Sequence, residues 1–232
     1  MSWKDSFPRE NIFYETENGI LYCADSLEIM KQLSEKIVDV IITDPPYGIQ
    51  THKMGYTKGG GKKFGNKQVK KTVFTTYEDK PIGKEYFDLM FKVSKNQIIW
   101  GGNYYIDYLY NTRCMLVWYK IDGLPPLSFA DCEIAWTSFN RNSMVYNCRW
   151  YGFIRDSREE RTGHPNQKAL EVLKWCVNEF SNENDIIMDP FVGSGTTLVA
   201  CEELNRRWIG IEIKEEYCEI TKQRILNMKN NK

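Results

Sequence analysis

Short apolar runs alternate along this chain with stretches of helical period, and that alternation restricts it to an α/β fold built on a largely parallel sheet. Strands are expected at residues 20–23, 38–43, 97–101, 114–118, 132–137, 185–188 and 208–211, seven in all. Helices are expected at 26–33, 84–93, 168–180, 196–204 and 215–228, each with apolar residues near the 3.6-residue period. With 42% hydrophobic residues in 232, the chain holds enough apolar material for one well-cored domain and is short for two, so residues 1–232 read as a single domain.

Two stretches break the rhythm. Residues 51–73 are rich in Gly and Lys, with Lys53, Lys58, Lys62, Lys63, Lys67, Lys70 and Lys71 and no acid, which reads as a basic loop. Residues 139–163 mix Arg141, Arg149, Arg155, Arg158 and Arg161 with Tyr146, Trp150, Tyr151 and Phe153, a composition suited to phosphates and bases. The plain alternative for each is a solvated surface loop. Lys plus Arg and Asp plus Glu number 31 each, so a polyanion partner would have to be met by such local basic patches rather than by net charge.

Other classes are disfavoured. No basic-then-apolar leader opens the chain, and no apolar run approaches the roughly 20 residues of a membrane span, so a cytoplasmic protein without membrane attachment is expected. The seven cysteines are scattered, never spaced C-x-x-C, and only two histidines accompany them; they read as small core residues in a reducing compartment, with no metal site.

The chemistry concentrates at two turns that follow apolar strands. Thr43-Asp44-Pro45-Pro46-Tyr47-Gly48 succeeds the run at 38–43, and ligands of open α/β sheets collect at such carboxyl ends. The two prolines fix φ and donate no hydrogen bond, so the Asp44 carboxylate and the Pro45 carbonyl form a rigid pair of acceptors, and the Tyr47 ring offers a flat face to a planar base. The alternative is a proline-stiffened turn with an incidental Asp and Tyr. The second turn, Asp189-Pro190-Phe191-Val192-Gly193-Ser194-Gly195-Thr196-Thr197, leads from a strand into a helix. Its glycines let backbone approach a ligand closely, and the helix start presents unpaired N–H groups, which suits a nucleotide-like molecule. One strand later, Trp208-Ile209-Gly210-Ile211-Glu212 brings an acid to the next strand end, where it can bind ribose hydroxyls. Leu198 stands where a dinucleotide fingerprint wants its third glycine, and no Gly-Lys-Ser/Thr follows, which disfavours hydride transfer and nucleotide hydrolysis.

Taken in this order the motifs resemble the amino-DNA methyltransferases of permuted motif order, the beta class, over residues 20–225. In that family DPPY comes first and FxGxG late, as Asp44–Tyr47 and Phe191–Gly195 do here. His164-Pro165-Asn166-Gln167-Lys168 is similar to the family's HP-T-Q-K-P segment, with Asn166 for Thr and Ala169 for Pro, and Cys23-Ala24-Asp25-Ser26 is similar to its G-D-S/C segment. The resemblance implies a Rossmann-like S-adenosylmethionine (AdoMet)-dependent methyltransferase fold, a seven-stranded, mostly parallel sheet with helices on both faces in circularly permuted order. If the late glycine strand is the first of the conventional sheet, this chain supplies the strands in the order three, four, five, six, seven, one, two, and both motifs meet at one carboxyl edge.

The resemblance also implies a reaction and its residues. Asp44, Pro45, Pro46 and Tyr47 are the expected catalytic turn; Asp25, Asp44, Lys168, Asp189, Phe191, Gly193, Ser194, Gly195, Thr196 and Glu212 are the expected AdoMet contacts. Lys62, Lys63, Lys70, Lys71, Arg149, Arg155 and Arg158 are expected to face double-stranded DNA, with residues 139–163 as a short target-recognition segment. Asp at the first motif position leans towards the N6 of adenine, whereas Ser is frequent in enzymes acting on cytosine N4, the alternative substrate. A non-catalytic AdoMet- or DNA-binding subunit is the alternative from another class, disfavoured by the intact Asp44–Tyr47. Methylation at cytosine C5 would need a Pro-Cys pair, and the chain has none. A homodimer and a cognate restriction endonuclease are the further partners such an enzyme implies.

Overall fold

The computed structural model describes residues 2–48, 80–123, 130–151, 154–156, 159, 162 and 166–230. The basic segment 51–73 with Lys62, Lys63, Lys70 and Lys71 lies outside these residues, as do Arg158, His164 and Pro165.

A nine-stranded sheet organises the described residues, in the order β1 (Ile12–Glu15), β2 (Gly19–Cys23), β11 (Arg207–Glu212), β10 (Ile186–Asp189), β3 (Val38–Thr43), β4 (Ser94–Trp100), β6 (Cys132–Thr137), β5 (Met115–Tyr119), β7 (Met144–Asn147). Its middle is the parallel block β2, β11, β10, β3 and β4. β6 runs antiparallel to β4 and to β5. The late strands β10 and β11 thus sit between the early strands β2 and β3, which is what the permuted order requires.

The parallel strands are buried on both faces over most of their length, which explains the apolar runs at 20–22, 40–42, 98–100, 186–188 and 208–211. Along β2, Ile20 and Tyr22 face one core and Leu21 the other; on β4, Ile99 opposes Ile98 and Trp100 in the same way. Helices α1 (Ser26–Gln32) and α2 (Lys84–Val93) cover the first face with Ile29, Met30, Phe87, Met90 and Val93. Helices α3 (Leu170–Phe180), α4 (Thr196–Glu203) and α5 (Glu215–Asn230) cover the second with Val172, Leu173, Val177, Leu198, Cys218 and Ile225.

The sheet has two strands beyond the seven expected. β1 (Ile12–Glu15) pairs antiparallel with β2, and β7 (Met144–Asn147) pairs parallel with β5. Both are edge strands whose residues are half-buried or exposed, so neither carries the apolar run that betrays a central strand. β7 also makes the first part of residues 139–163 framework rather than loop; beyond it, β8 (Trp150–Tyr151) and β9 (Ile154–Arg155) form a separate two-stranded ribbon. Helix α3 begins at Leu170 rather than 168 because Lys168 is turned inward to an ion pair and Ala169 takes the cap position in extended conformation.

Candidate active site

The two motif turns leave adjacent strands, β3 and β10, in parallel register, and a buried hydrogen bond joins them: Thr43 Oγ1 donates to Asp189 Oδ1 at 2.8 Å. The same oxygen accepts from the Phe191 backbone N–H at 3.0 Å. Asp189 is therefore the internal brace of the glycine turn, and burial pushes its carboxyl above the usual range.

Between the turns opens a cavity whose walls include Asp44, Trp100, Asn166, Lys168, Asp189, Phe191, Gly193, Ser194 and Thr196. The fold thus gathers the expected residues Asp44, Lys168, Asp189, Phe191, Gly193, Ser194 and Thr196 around one space. Gly193 has φ 53° and Gly195 φ 81°, left-handed conformations that a side chain adopts at a cost. A Cβ on Gly195 would also come within 2.5 Å of Thr221 on α5, so that glycine serves helix packing. Arg224 of α5 reaches the same loop, donating to the Ser194 carbonyl at 2.6 Å and to Thr196 Oγ1 at 2.9 Å. Its guanidinium also pairs with Glu159, whose carboxylate accepts from Gln167 Nε2 and from the Leu170 N–H at the start of α3, each at 2.8 Å.

Glu212 closes β11 behind the glycine turn. Its carboxylate accepts from the Gly193 N–H at 2.8 Å and the Lys214 N–H at 2.9 Å, yet burial dominates and pushes it up to about 7. Asp25 lies two residues beyond the neighbouring strand β2, where it caps α1 by accepting from the Leu27 N–H at 2.7 Å.

At the other turn, Asp44 Oδ2 lies 2.8 Å from Lys168 Nζ and Oδ1 accepts from the Tyr47 hydroxyl. Burial outweighs the lysine and pushes Asp44 up to about 6. Tyr105 clamps the turn by donating to the Pro46 carbonyl, and the exposed Tyr104 stacks on Tyr47 at 4.8 Å between centroids. Gly101 is the floor under that ring: φ is 65°, and a Cβ would fall within 2.1 Å of Tyr47 Cε1.

Sequence reasoning missed Glu133, Trp100, Gly101, Tyr105 and Arg224. Only Glu133 left a trace, as an acid within the strand Cys132–Thr137; the others match their neighbours in type and gain meaning only through contact. Arg149 is exposed and pairs with Asp156 at 2.8 Å across the base of the β8–β9 ribbon, a contact of small energetic weight that a stronger partner could displace. Among the described residues no cluster of His, Cys, Asp and Glu could hold a metal ion, and no helix is long and apolar enough to cross a membrane.

These features fit AdoMet. The glycine turn and start of α4 admit a close polar ligand, and Trp100 on the cavity wall has a buried indole nitrogen without a hydrogen-bond partner.

Residues 117–223 match the N6/N4 methyltransferase family model, described as DNA methylase. The chain is 29% identical to the type II methyltransferase M2.LlaDCHI of Lactococcus lactis subsp. cremoris, covering 92% of this chain and 91% of the relative. It is 29% identical to M.HpaI of Haemophilus parainfluenzae, over 88% and 73%. The fold matches that of the M1.HpyAVI–SAM complex (TM-score 0.56, 23% identity, 88% of this chain and 98% of the other). It also matches the cytosine-N4-specific PvuII DNA methyltransferase (TM-score 0.61, 17% identity, 97% and 95%). Two motif turns on one cavity, a family model matched over residues 117–223 and relatives covered along 73–91% of their length support the amino-DNA methyltransferase family for this chain.

Proposed function

We propose that this enzyme methylates the N6 amino group of an adenine flipped out of double-stranded DNA. The observation that carries the reading is the meeting of Asp44 with the glycine turn on one cavity. AdoMet, when bound, supplies an electrophilic sulfonium methyl. Glu212 would hold its ribose hydroxyls, Asp25 its adenine, and Asn166 and Lys168 its methionine end; Phe191, Gly193, Ser194 and Thr196 would line its bed, braced by Asp189 and Gly195.

An exocyclic amino nitrogen is a poor nucleophile because its lone pair is delocalised into the ring. Asp44 and the Pro45 carbonyl would accept its hydrogens and favour a pyramidal nitrogen whose lone pair is localised for attack. Pro46 stiffens the turn, and Tyr47 stacks on the base, which must first leave the duplex at a cost of a few kcal/mol. Positioning and electrostatics carry such a transfer. Adenine is favoured by the Asp at the first motif position. The Lys62, Lys63, Lys70 and Lys71 segment and Arg149, Arg155 and Arg158 are assigned to the DNA-facing side, the lysines to phosphates and the arginines to base edges. The remaining assignments are a cytoplasmic setting, a homodimer and a cognate endonuclease.

Methylation of plasmid DNA by the purified protein, read by single-molecule sequencing, tests the proposal. Modified adenine at a defined site is expected; modified cytosine would overturn the base assignment, and unmodified DNA the whole reading.

Two further outcomes follow from the site. Gly101→Ala forces a Cβ into the Tyr47 ring at a left-handed φ, and should weaken capture of the target base by about 1–3 kcal/mol. A fluorescent adenine analogue at the target position reports it, and undiminished base capture would show that Tyr47 does not hold the base. Glu212 stands at about 7, and ribose hydroxyls donate to its ionised form, so AdoMet binding should strengthen as pH rises through 7 and release protons near neutrality. Calorimetry in buffers of different ionisation enthalpy measures that release; binding without proton exchange contradicts the ribose assignment.

A further inference from the structure

The ion pair at Asp44 continues outward. Lys168 Nζ lies 2.8 Å from Asp44 Oδ2 and 2.7 Å from Glu133 Oε2, and Glu133 Oε1 lies 3.0 Å from Lys120 Nζ. Four charges of alternating sign therefore run from Lys120, just past β5, through Glu133 on β6 and Lys168 ahead of α3, to the catalytic turn after β3. Lys168 also lies 5.5 Å from the centre of the Trp100 ring, and only 9% of its side chain is exposed.

The two carboxylates that share this lysine fare differently. Burial works against the charged form of both, but Glu133 has two ammonium partners and is held down to about 2. Asp44 has a share of one, feels Glu133 and Asp189 as like charges, and ends at about 6. A carboxylate in an exclusive pair with an ammonium is a weak acceptor for anything else, because its charge is already engaged. One that shares its ammonium keeps basicity for a third group.

We propose that Glu133 is a positioning residue for methyl transfer: it anchors Lys168 and draws it partly off Asp44, so that the Asp44 carboxylate stays aimed and remains a strong acceptor for the target amino group. The inference rests on the assignment of Asp44 as that acceptor.

Glu133→Gln keeps the shape and removes the charge. In the AdoMet-free protein, carboxyl-carbon NMR should show the Asp44 titration moving down by about one pH unit, since a like charge is lost and Lys168 turns wholly to Asp44. The kcat for methylation should fall by about 10- to 100-fold, the scale of a small misplacement at the reacting atoms, with the KM for DNA at its parental value. Lys120→Met, which removes the outer ammonium, should move the Asp44 titration upward instead. An Asp44 titration that stays put in both variants overturns the proposal, and so does a Glu133→Gln enzyme with parental kcat. A parent that methylates no DNA removes the methyltransferase reading itself, a failure separate from that of an active parent with an unaltered variant.

Discussion

Asp44→Ala should lower the methylation rate by about 1000-fold or more while leaving the protein folded and able to bind AdoMet. The variant deletes the acceptor aimed at the amino group, and loss of one such group in a water-poor site costs about 100- to 1000-fold even where others remain. Stability should survive because Asp44 is not a stabilising charge. Its carboxyl is raised from 3.8 to about 6; with a raised folded-state pKa, its contribution to stability is fully present below 3.8 and lost as pH rises through 6. At neutral pH the folded state carries a buried carboxylate it would rather protonate, so Asp44→Ala and Asp44→Asn should melt no lower than the parent. Lys168 keeps Glu133 as its partner at 2.7 Å in either variant. Single-turnover methylation beside a thermal melt at pH 7–8 measures both. Near-parental methylation would remove Asp44 from the chemistry; a collapsed melt would make it structural. Protonation gives the parent the same defect, so the parental rate should fall as pH drops through about 6.

Gly193→Val should weaken AdoMet binding by at least about 100-fold, close to 3 kcal/mol. Two effects act together. At φ 53° a β-branched residue is a conformational outlier, and its methyl groups would enter the cavity that Gly193 lines. The Gly193 N–H also anchors Glu212 at 2.8 Å, so a shifted backbone moves the ribose acceptor as well. Glu212→Ala, which leaves the glycine turn open, should cost less, about 1–3 kcal/mol for lost hydrogen bonds to a charged group. Calorimetric titration ranks the two, and parental affinity in both would mean that the cofactor lies elsewhere.

How much of this was legible in the chain depends on whether the signal was local. The central strands were legible because a strand buried on both faces is apolar where it crosses the core, and β3, β10 and β11 each carry such a run at 40–42, 186–188 and 208–211. The two turns were legible because their chemistry is contiguous: two prolines beside an acid, and glycines between a strand and a helix, constrain backbone without help from elsewhere. Edge strands β1 and β7 were not, since half-exposed residues satisfy an edge and leave no pattern.

The sequence by itself therefore determined the α/β class, the two motif turns and the permuted order in which they arrive. Only the tertiary structure decided what surrounds Asp44. Lys168, Glu133 and Lys120 lie on segments far apart along the chain, and a buried charge is satisfied by whatever opposite charge the packing brings within about 3 Å, a distance that residue spacing does not encode. The same holds for Gly101, ordinary in its run until the Tyr47 ring comes to rest against it.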